Sequence, residues 1–565
     1  MNMTARYIMF FVLCIIVIVV YMMFFPPAPK PTVPQQPSTE ETGQPLTTED
    51  RPETVPAAVE KPTETISALP ESAIDEQFEE APDVKEDTIT LSNGLAQFEF
   101  SNRGAVLKRV VLISNKVVLH KDVDLFYGEM RPGEYPFAIS SEEDKKLRLA
   151  QYPFELVSRE KLNLVYACER GDLRITKEYT ILPNDYVVNL KITFENNTDQ
   201  KTTVEGYTMG AGAIFPIVPI DSRPYYQYLI SADGKPTKIK AKPETAFTKS
   251  PSDVKWAVVM NRYFSIIASP AGQNIAQITG GGQQITGYDF PEENNKNKSN
   301  RNYYPLRLGV RSFNVAPHSE RSHKFSLYIG PKEFDRLKKL GFDINTARTS
   351  FIGAPMLKFL KWSYKIIPNY GVAIIVLTVL IKILLYPLDQ KSYKSMKEMQ
   401  HIQPLITQLR EKHKDDQRKL QQETMKLYKE HKVNPLGGCL PLLLQMPILF
   451  AMFAMLQNAV ELWGAPFTLW IRDLSQPDSL IKFKQSILMF DRLNVLPILM
   501  LISFYFQQKI SSVSGKQDSQ QKMMGNMMLV VFGFIFYNMP SGLNLYFIVS
   551  TVLRTLQQYL VQKKK

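Results

Sequence analysis

The sequence predicts a multi-pass α-helical membrane protein with six transmembrane helices and one large all-β domain on the outer side of the membrane. Three observations carry that expectation. Uncharged apolar stretches suited to crossing about 30 Å of hydrocarbon stand at the start and recur through the last third of the 565 residues. A long intervening region alternates apolar and polar residues with the period of two that marks half-buried strands. Lysine and arginine gather in the loops that would share one side of the membrane.

The first apolar stretch is YIMFFVLCIIVIVVYMMFF (7–25). Arg6 precedes it, and PPAPKP follows without a small-x-small cleavage pattern, so 1–25 reads as an uncleaved anchor. Residues 26–87 hold 12 prolines and 15 Asp/Glu against 4 Lys/Arg, too polar to bury a core, and read as an extended acidic linker. With its net −11 set aside, the +12 of the whole chain becomes +23 on the remainder. That charge lies beside apolar spans, without zinc spacing or an aromatic-basic module. It therefore suits acidic phospholipids and excludes sequence-specific nucleic-acid binding. Cys14, Cys168 and Cys439 are too scattered for a disulfide framework or a metal cluster.

Residues 88–330 form the β domain. Segments such as TITLSNGLAQFEFSNRG and LKRVVLISNKVVLHK alternate and break at turn residues, and a large sandwich is the natural way to bury them. GGGQQ (280–284) and the stretch 291–305 read as loops. His120, His318 and His323 are far apart in the chain or on plausible strand surfaces. HExxH, a nucleophile elbow and a phosphate-binding glycine loop are all missing, so no catalytic residue, metal or cofactor is expected.

Residues 331–369 read as a linker and an amphipathic helix in the interface plane, with Met356, Leu357, Leu360, Tyr364 and Ile367 at helical spacing. Five further spans follow at 370–386, 436–459, 486–507, 523–539 and 540–560. The loop 387–435 carries 11 Lys/Arg against 7 Asp/Glu, the loop 508–522 three lysines and one acid, and 561–565 is a basic tail. Putting these inside puts both termini inside, and leaves 88–330 and the loop 460–485 outside. Within 387–435, Met399, Ile402, Ile406 and Leu409 share one helical stripe, and Leu420, Leu427 and Tyr428 another. A two-helix hairpin over the inner surface is expected, with Asp415 or Asp416 capping its second helix.

One charge interrupts the first of the five spans. In VLIKILLYP, Lys382 follows an uncharged run, and a charge at membrane depth costs a few kcal/mol. Two readings are open. By helix rise Lys382 lies about 6 Å from the inner boundary, within snorkelling reach of its stem. Alternatively it stands in a polar groove, joined by Thr378 one turn earlier and by Gln445, Asn544 and Ser550 from other spans.

Four segments, IKILLYPLDQKSYKSM (381–396), KEHKVNPLGGCLPLLLQMPILFAMF (429–453), APFTLWIRDLS (465–475) and MPSGLNLYFIVSTVLRTLQQ (539–558), resemble the YidC/Oxa/Alb family of membrane protein insertases. The order of anchor, outer domain and five-span core is similar to its Gram-negative form. The resemblance implies a five-helix insertase core, a periplasmic β-supersandwich like that of sugar-active enzymes, and a place in the cell inner membrane. It implies as partners nascent membrane proteins, the Sec translocon and the ribosome, the last met by the hairpin around Gln417 and Lys419. Lys382 stands where the family usually has an arginine in a hydrophilic groove open to cytoplasm and lipid. A solute transporter and a non-inserting assembly scaffold acting through the β domain are the alternatives.

Overall fold

Alternation accounts for much of the outer domain. In Leu173–Ile181, LRITKEYTI, every second residue from Leu173 is buried, while Arg174, Glu178 and Thr180 face out. The strand pairs antiparallel with Val187–Asn196, from Leu173 opposite Asn196 to Ile181 opposite Val188. This pattern carries Lys177 inward with its apolar neighbours. Its Nζ donates to the carbonyls of Gly104 and Phe137 at 2.7 and 2.8 Å, and burial pulls its pKa down to about 7. Gly104 has φ +71°, and a Cβ there would run into the carbonyl of Ala150, so glycine is required for this approach.

The computed structural model describes residues 84–563 apart from 116, 142–146, 217–224, 233–234, 243–245, 273–274, 286–301, 343–351, 414–415, 432, 434–439, 488–489 and 512–518. The anchor 1–25, the acidic linker to residue 83 and most of the stretch 291–305 lie outside the described residues. Within them, the outer domain consists of open sheets of four, six and nine strands. The widest runs from Lys235–Lys240 at one edge, through Phe264–Ala271 and Ser319–Pro331, to Glu155–Arg159 at the other. The three sheets share one apolar core containing Phe98, Tyr179, Ile192, Leu308 and Ile329. This corrects the expected β-supersandwich: sheets of unequal width contribute to the core, and none of them closes.

The helices follow in chain order: α1 (Phe334–Lys339), α2 (Gly353–Ile366), α3 (Tyr370–Lys412), α4 (Gln417–Glu430), α5 (Leu440–Asn458), α6 (Val495–Ser511), α7 (Ser519–Phe536) and α8 (Ser541–Lys563). Asn369 caps α3, its side chain accepting from the N–H groups of Gly371 and Val372. The helix then continues for 43 residues through Pro387 and Pro404, about 65 Å by helix rise. Asp416 caps α4 by accepting from Lys419 N at 3.0 Å. Ile402 and Ile406 of α3 meet Val433 in a small core joined by Met399, Leu427 and Tyr428, which closes α3 and α4 into a hairpin.

The expectation of six transmembrane helices is also corrected. Among the described residues one helix, Tyr370–Met399, is long and apolar enough to cross a membrane, and Val495–Ile510 and Gly525–Phe536 are apolar but shorter. The segment 486–507 shows the reason. Its first part belongs to an antiparallel strand pair, Ile481–Ile487 with Phe490–Leu493. That leaves 17 residues for α6, about 25 Å against a hydrocarbon core of about 30 Å.

A second core lies among the helices, built from Leu360, Ile374, Leu377, Met452, Met455, Met500, Phe536 and Tyr546. The chain leaving α5 joins it to the β core. Ala459 and Leu462 belong to the helical core, whereas Val460 and Trp463 belong to the β core, where Tyr263 and Phe264 pack on the indole. Polar groups complete the junction. Arg262 donates to the Gln457 carbonyl, Tyr225 to Gln457 Oε1 at 2.5 Å, and Tyr370 to the Val117 carbonyl at 2.9 Å. His120 Nε2 meets the Glu461 carbonyl at 3.0 Å and is therefore the protonated ring nitrogen.

Candidate functional site

The arrangement of α3, α5 and α8 follows from side-chain spacing. On α3, Lys382, Asp389 and Tyr393 lie seven and four residues apart, so they share a face. On α8, Tyr546, Ser550, Arg554 and Gln558 follow at intervals of four and form one polar stripe. The two helices pack along each other, and α5 packs against both. The polar stripes are therefore brought together inside the bundle. Lys382 is 7% exposed and Asp389 2%.

Charge and hydrogen bonding connect the cluster. Lys382 Nζ is 3.9 Å from Asp389 Oδ2, an ion-pair distance too long for a hydrogen bond. Arg554 acts electrostatically on Lys382, Tyr393 and Tyr546. The Tyr393 hydroxyl donates to the Arg554 carbonyl at 3.3 Å and also bonds its side chain. Gln445 Nε2 donates to the Tyr546 hydroxyl, which is also linked to Ser550. Asp389 Oδ2, Arg554 Nη2 and Gln557 Nε2 are buried without a hydrogen-bond partner among the described residues.

Of the residues singled out by sequence, Lys382, Gln445 and Ser550 belong to this cluster. Thr378 is buried on the same helix, but its hydroxyl donates back to the Ile374 carbonyl at 2.6 Å. Asn544 sits at the other end of α8, donating to the Phe536 carbonyl at 3.3 Å. Gln417 opens α4 and its side chain lies outside the described residues, while Lys419 is exposed nearby. Sequence reasoning missed Asp389, Tyr393, Tyr546 and Arg554. The four-residue repeat on α8 was the available signal.

The other side of α3 is apolar and open, with Leu380, Ile383 and Leu384 exposed, as are Ile502, Tyr505 and Phe506 on α6. Such surface is suited to lipid or to an apolar segment of another chain. Among the described residues no group of three or more His, Cys, Asp or Glu side chains is arranged to hold a metal.

Comparison with known proteins covers both parts of the molecule. Residues 88–347 match the family described as the YidC periplasmic domain, and 362–565 match the family described as 60Kd inner membrane protein. The membrane protein insertase YidC of Syntrophobacter fumaroxidans is 36% identical over 432 residues, 74% of this chain and 72% of that protein. The counterpart from Syntrophus aciditrophicus is 31% identical over 89% of this chain and 88% of its own length. A crystal structure of an active YidC insertase with its first transmembrane domain resolved overlaps 85% of this chain and 93% of its own at 19% identity, with a TM-score of 0.38.

Proposed function

The chain belongs to the YidC/Oxa/Alb family of membrane protein insertases, in the Gram-negative form with a periplasmic domain, and on that premise we propose that the cluster between α3, α5 and α8 receives the polar part of a client. The protein is membrane-associated and acts as an insertase and chaperone for other membrane proteins. The finer reading concerns how. Its main support is that a buried lysine and a buried carboxylate, with the half-buried Arg554 beside them, lie within a helix bundle whose outer faces are apolar.

In this reading the cluster is a hydrophilic groove reached from the cytoplasm and from lipid. With Lys382 and Arg554 against Asp389 it carries a net positive charge, which attracts a polar or acidic segment. Buried polar atoms without hydrogen-bond partners among the described residues offer that segment hydrogen bonds in place of water. The client's apolar stretch meets the open faces of α3 and α6. Its burial in lipid, at roughly 25 cal/mol per Å², drives release. Electrostatic attraction supplements this hydrophobic driving force and does not replace it.

The hairpin of α3 and α4 faces the cytoplasm and receives the ribosome or the emerging chain near Gln417 and Lys419, its basic residues also binding acidic phospholipids. The Sec translocon delivers some clients. Neither role requires a cofactor.

The test is insertion of a small, newly made single-span protein by the full chain in liposomes, read by protease protection at matched levels of folded protein. Lys382→Arg should retain activity, because it keeps the positive charge at that depth. Lys382→Ala and Lys382→Glu should lower it, most for clients with an acidic translocated tail. If both insert every client at the original rate, Lys382 is a snorkelling lysine and its proposed role in the groove is wrong.

A further inference from the structure

We infer that Arg554 recognises a carboxylate in the client's polar segment, and that Asp389 is the internal counter-charge occupying the cluster between clients. The inference rests on the groove reading above and assigns its chemical selectivity.

The cluster is incompletely satisfied. A buried ion costs several kcal/mol of desolvation unless its pairing and hydrogen bonding are good. Here they are not complete. Asp389 has Oδ2 at ion-pair range of Lys382 but without a hydrogen bond, and Arg554 has Nη2 buried without an acceptor among the described residues. One carboxylate stands among two cations, so the cluster is one negative charge short. A second carboxylate would neutralise it and give Arg554 Nη2 its missing acceptor.

The two cations are not equivalent. Lys382 is a point charge and attracts any electron-rich group. Arg554 presents a planar fork that fits both oxygens of a carboxylate. Tyr393 bonds both the carbonyl and the side chain of Arg554, which fixes the guanidinium before a client arrives. Lys382 thus supplies attraction, and Arg554 discriminates a carboxylate from an amide. Asp389 lies seven residues from Lys382 on the same face and lowers the cost of holding buried Lys382 beside the half-buried Arg554 while the groove is empty.

The test uses the full chain in phosphatidylethanolamine–phosphatidylglycerol liposomes and one single-span client. The client carries either Asp or Asn at one position of its translocated tail. The readout is the ratio of the two insertion rates within each variant, which cancels differences in folding or amount. Arg554→Gln should lower that Asp-to-Asn ratio by about ten-fold, the size of one charge-assisted hydrogen bond. Arg554→Lys should lower it by less, and Asp389→Asn should raise it.

An unchanged ratio in Arg554→Gln overturns the inference, whether Arg554 then packs the helices or binds a lipid phosphate. Failure of the parent reading looks different. If Lys382→Ala leaves both clients unaffected while Arg554→Gln collapses the ratio, the Lys382 role falls and carboxylate recognition by Arg554 stands.

Discussion

Lys361 Nζ lies 2.6 Å from Glu461 Oε1, joining α2 to the turn after α5, with Glu461 almost wholly buried. Asp335 extends the pair from the other side at 3.5 Å. Burial opposes the charge on Lys361, but the Glu461 carboxylate outweighs it and holds the lysine above its usual pKa. This ion pair fixes α2 at the same turn whose Trp463 is buried in the β core.

Breaking that pair from one side should be costly. Lys361→Met should destabilise the full chain by about 3 kcal/mol, because it leaves Glu461 as an uncompensated buried charge, and Glu461→Met should cost less, because Lys361 keeps Asp335 at 3.5 Å. The double variant should recover much of the loss. The check is the urea midpoint in detergent. Since the folded pKa of Lys361 is raised, its stabilising contribution should be complete below the ordinary lysine value of 10.5 and be lost as pH rises through the higher folded value.

Lys177 should show the opposite sign. Its folded pKa is lowered to about 7 from 10.5, so between those values the unfolded chain binds more protons than the folded one. Stability should therefore rise with pH across that window. Amide exchange in Leu173–Ile181 should slow between about pH 7 and 10.5 relative to the Lys177→Met variant, once intrinsic exchange rates are removed. A pH-independent difference would show that the carbonyls of Gly104, Ala105 and Phe137 around Nζ keep it charged.

Trp463 should anchor the junction of the two cores. Trp463→Ala should cost about 3–5 kcal/mol locally and speed amide exchange through 457–463, leaving the β sheets protected. Deleting 90–320 should retain insertion once Val460 and Trp463 are also made polar, since the deletion exposes both. A truncated chain that folds but inserts nothing would tie insertion to the β domain.

The hairpin should depend on its own small core. Ile406→Ala should weaken it by about 2 kcal/mol or more and speed amide exchange in Gln417–Glu430. A photo-crosslinker at Lys419 should reach translating ribosomes in the original chain and less in this variant. Crosslinks that never form during active insertion would remove the ribosome from the account.

Much of the outer domain is legible in the sequence because strand alternation is local: LRITKEYTI states which face is buried before any partner is known. The misreadings have local causes as well. GGGQQ has the composition of a loop, yet Gly280 stands near the end of the strand Ile275–Gly281, where a Cβ would strike Tyr228 and Phe247 at 2.7 Å. Gln283 and Gln284 pair with Tyr303 and Asn302, inside the polar stretch 291–305 whose composition also suggests a loop. Short apolar runs do not reveal by periodicity whether they are strand or helix, so Ser486, Ile487 and Phe490–Leu493 read as part of a span although they fold as strand.

The sequence by itself determined the family, the apolar face of each element, the outer β region, and Lys382 as a charge out of place. Tertiary structure decided which of those faces meet. Asp389 and Arg554 are ordinary charges in their own helices and become one cluster with Lys382 only because α3 and α8 lie side by side. Val460 and Trp463 look like residues of a short loop, yet they complete the core of a domain far back in the chain. Periodicity records how a segment divides its surface between core and surroundings. The choice of partner depends on packing between distant segments, and no local pattern in the chain encodes it.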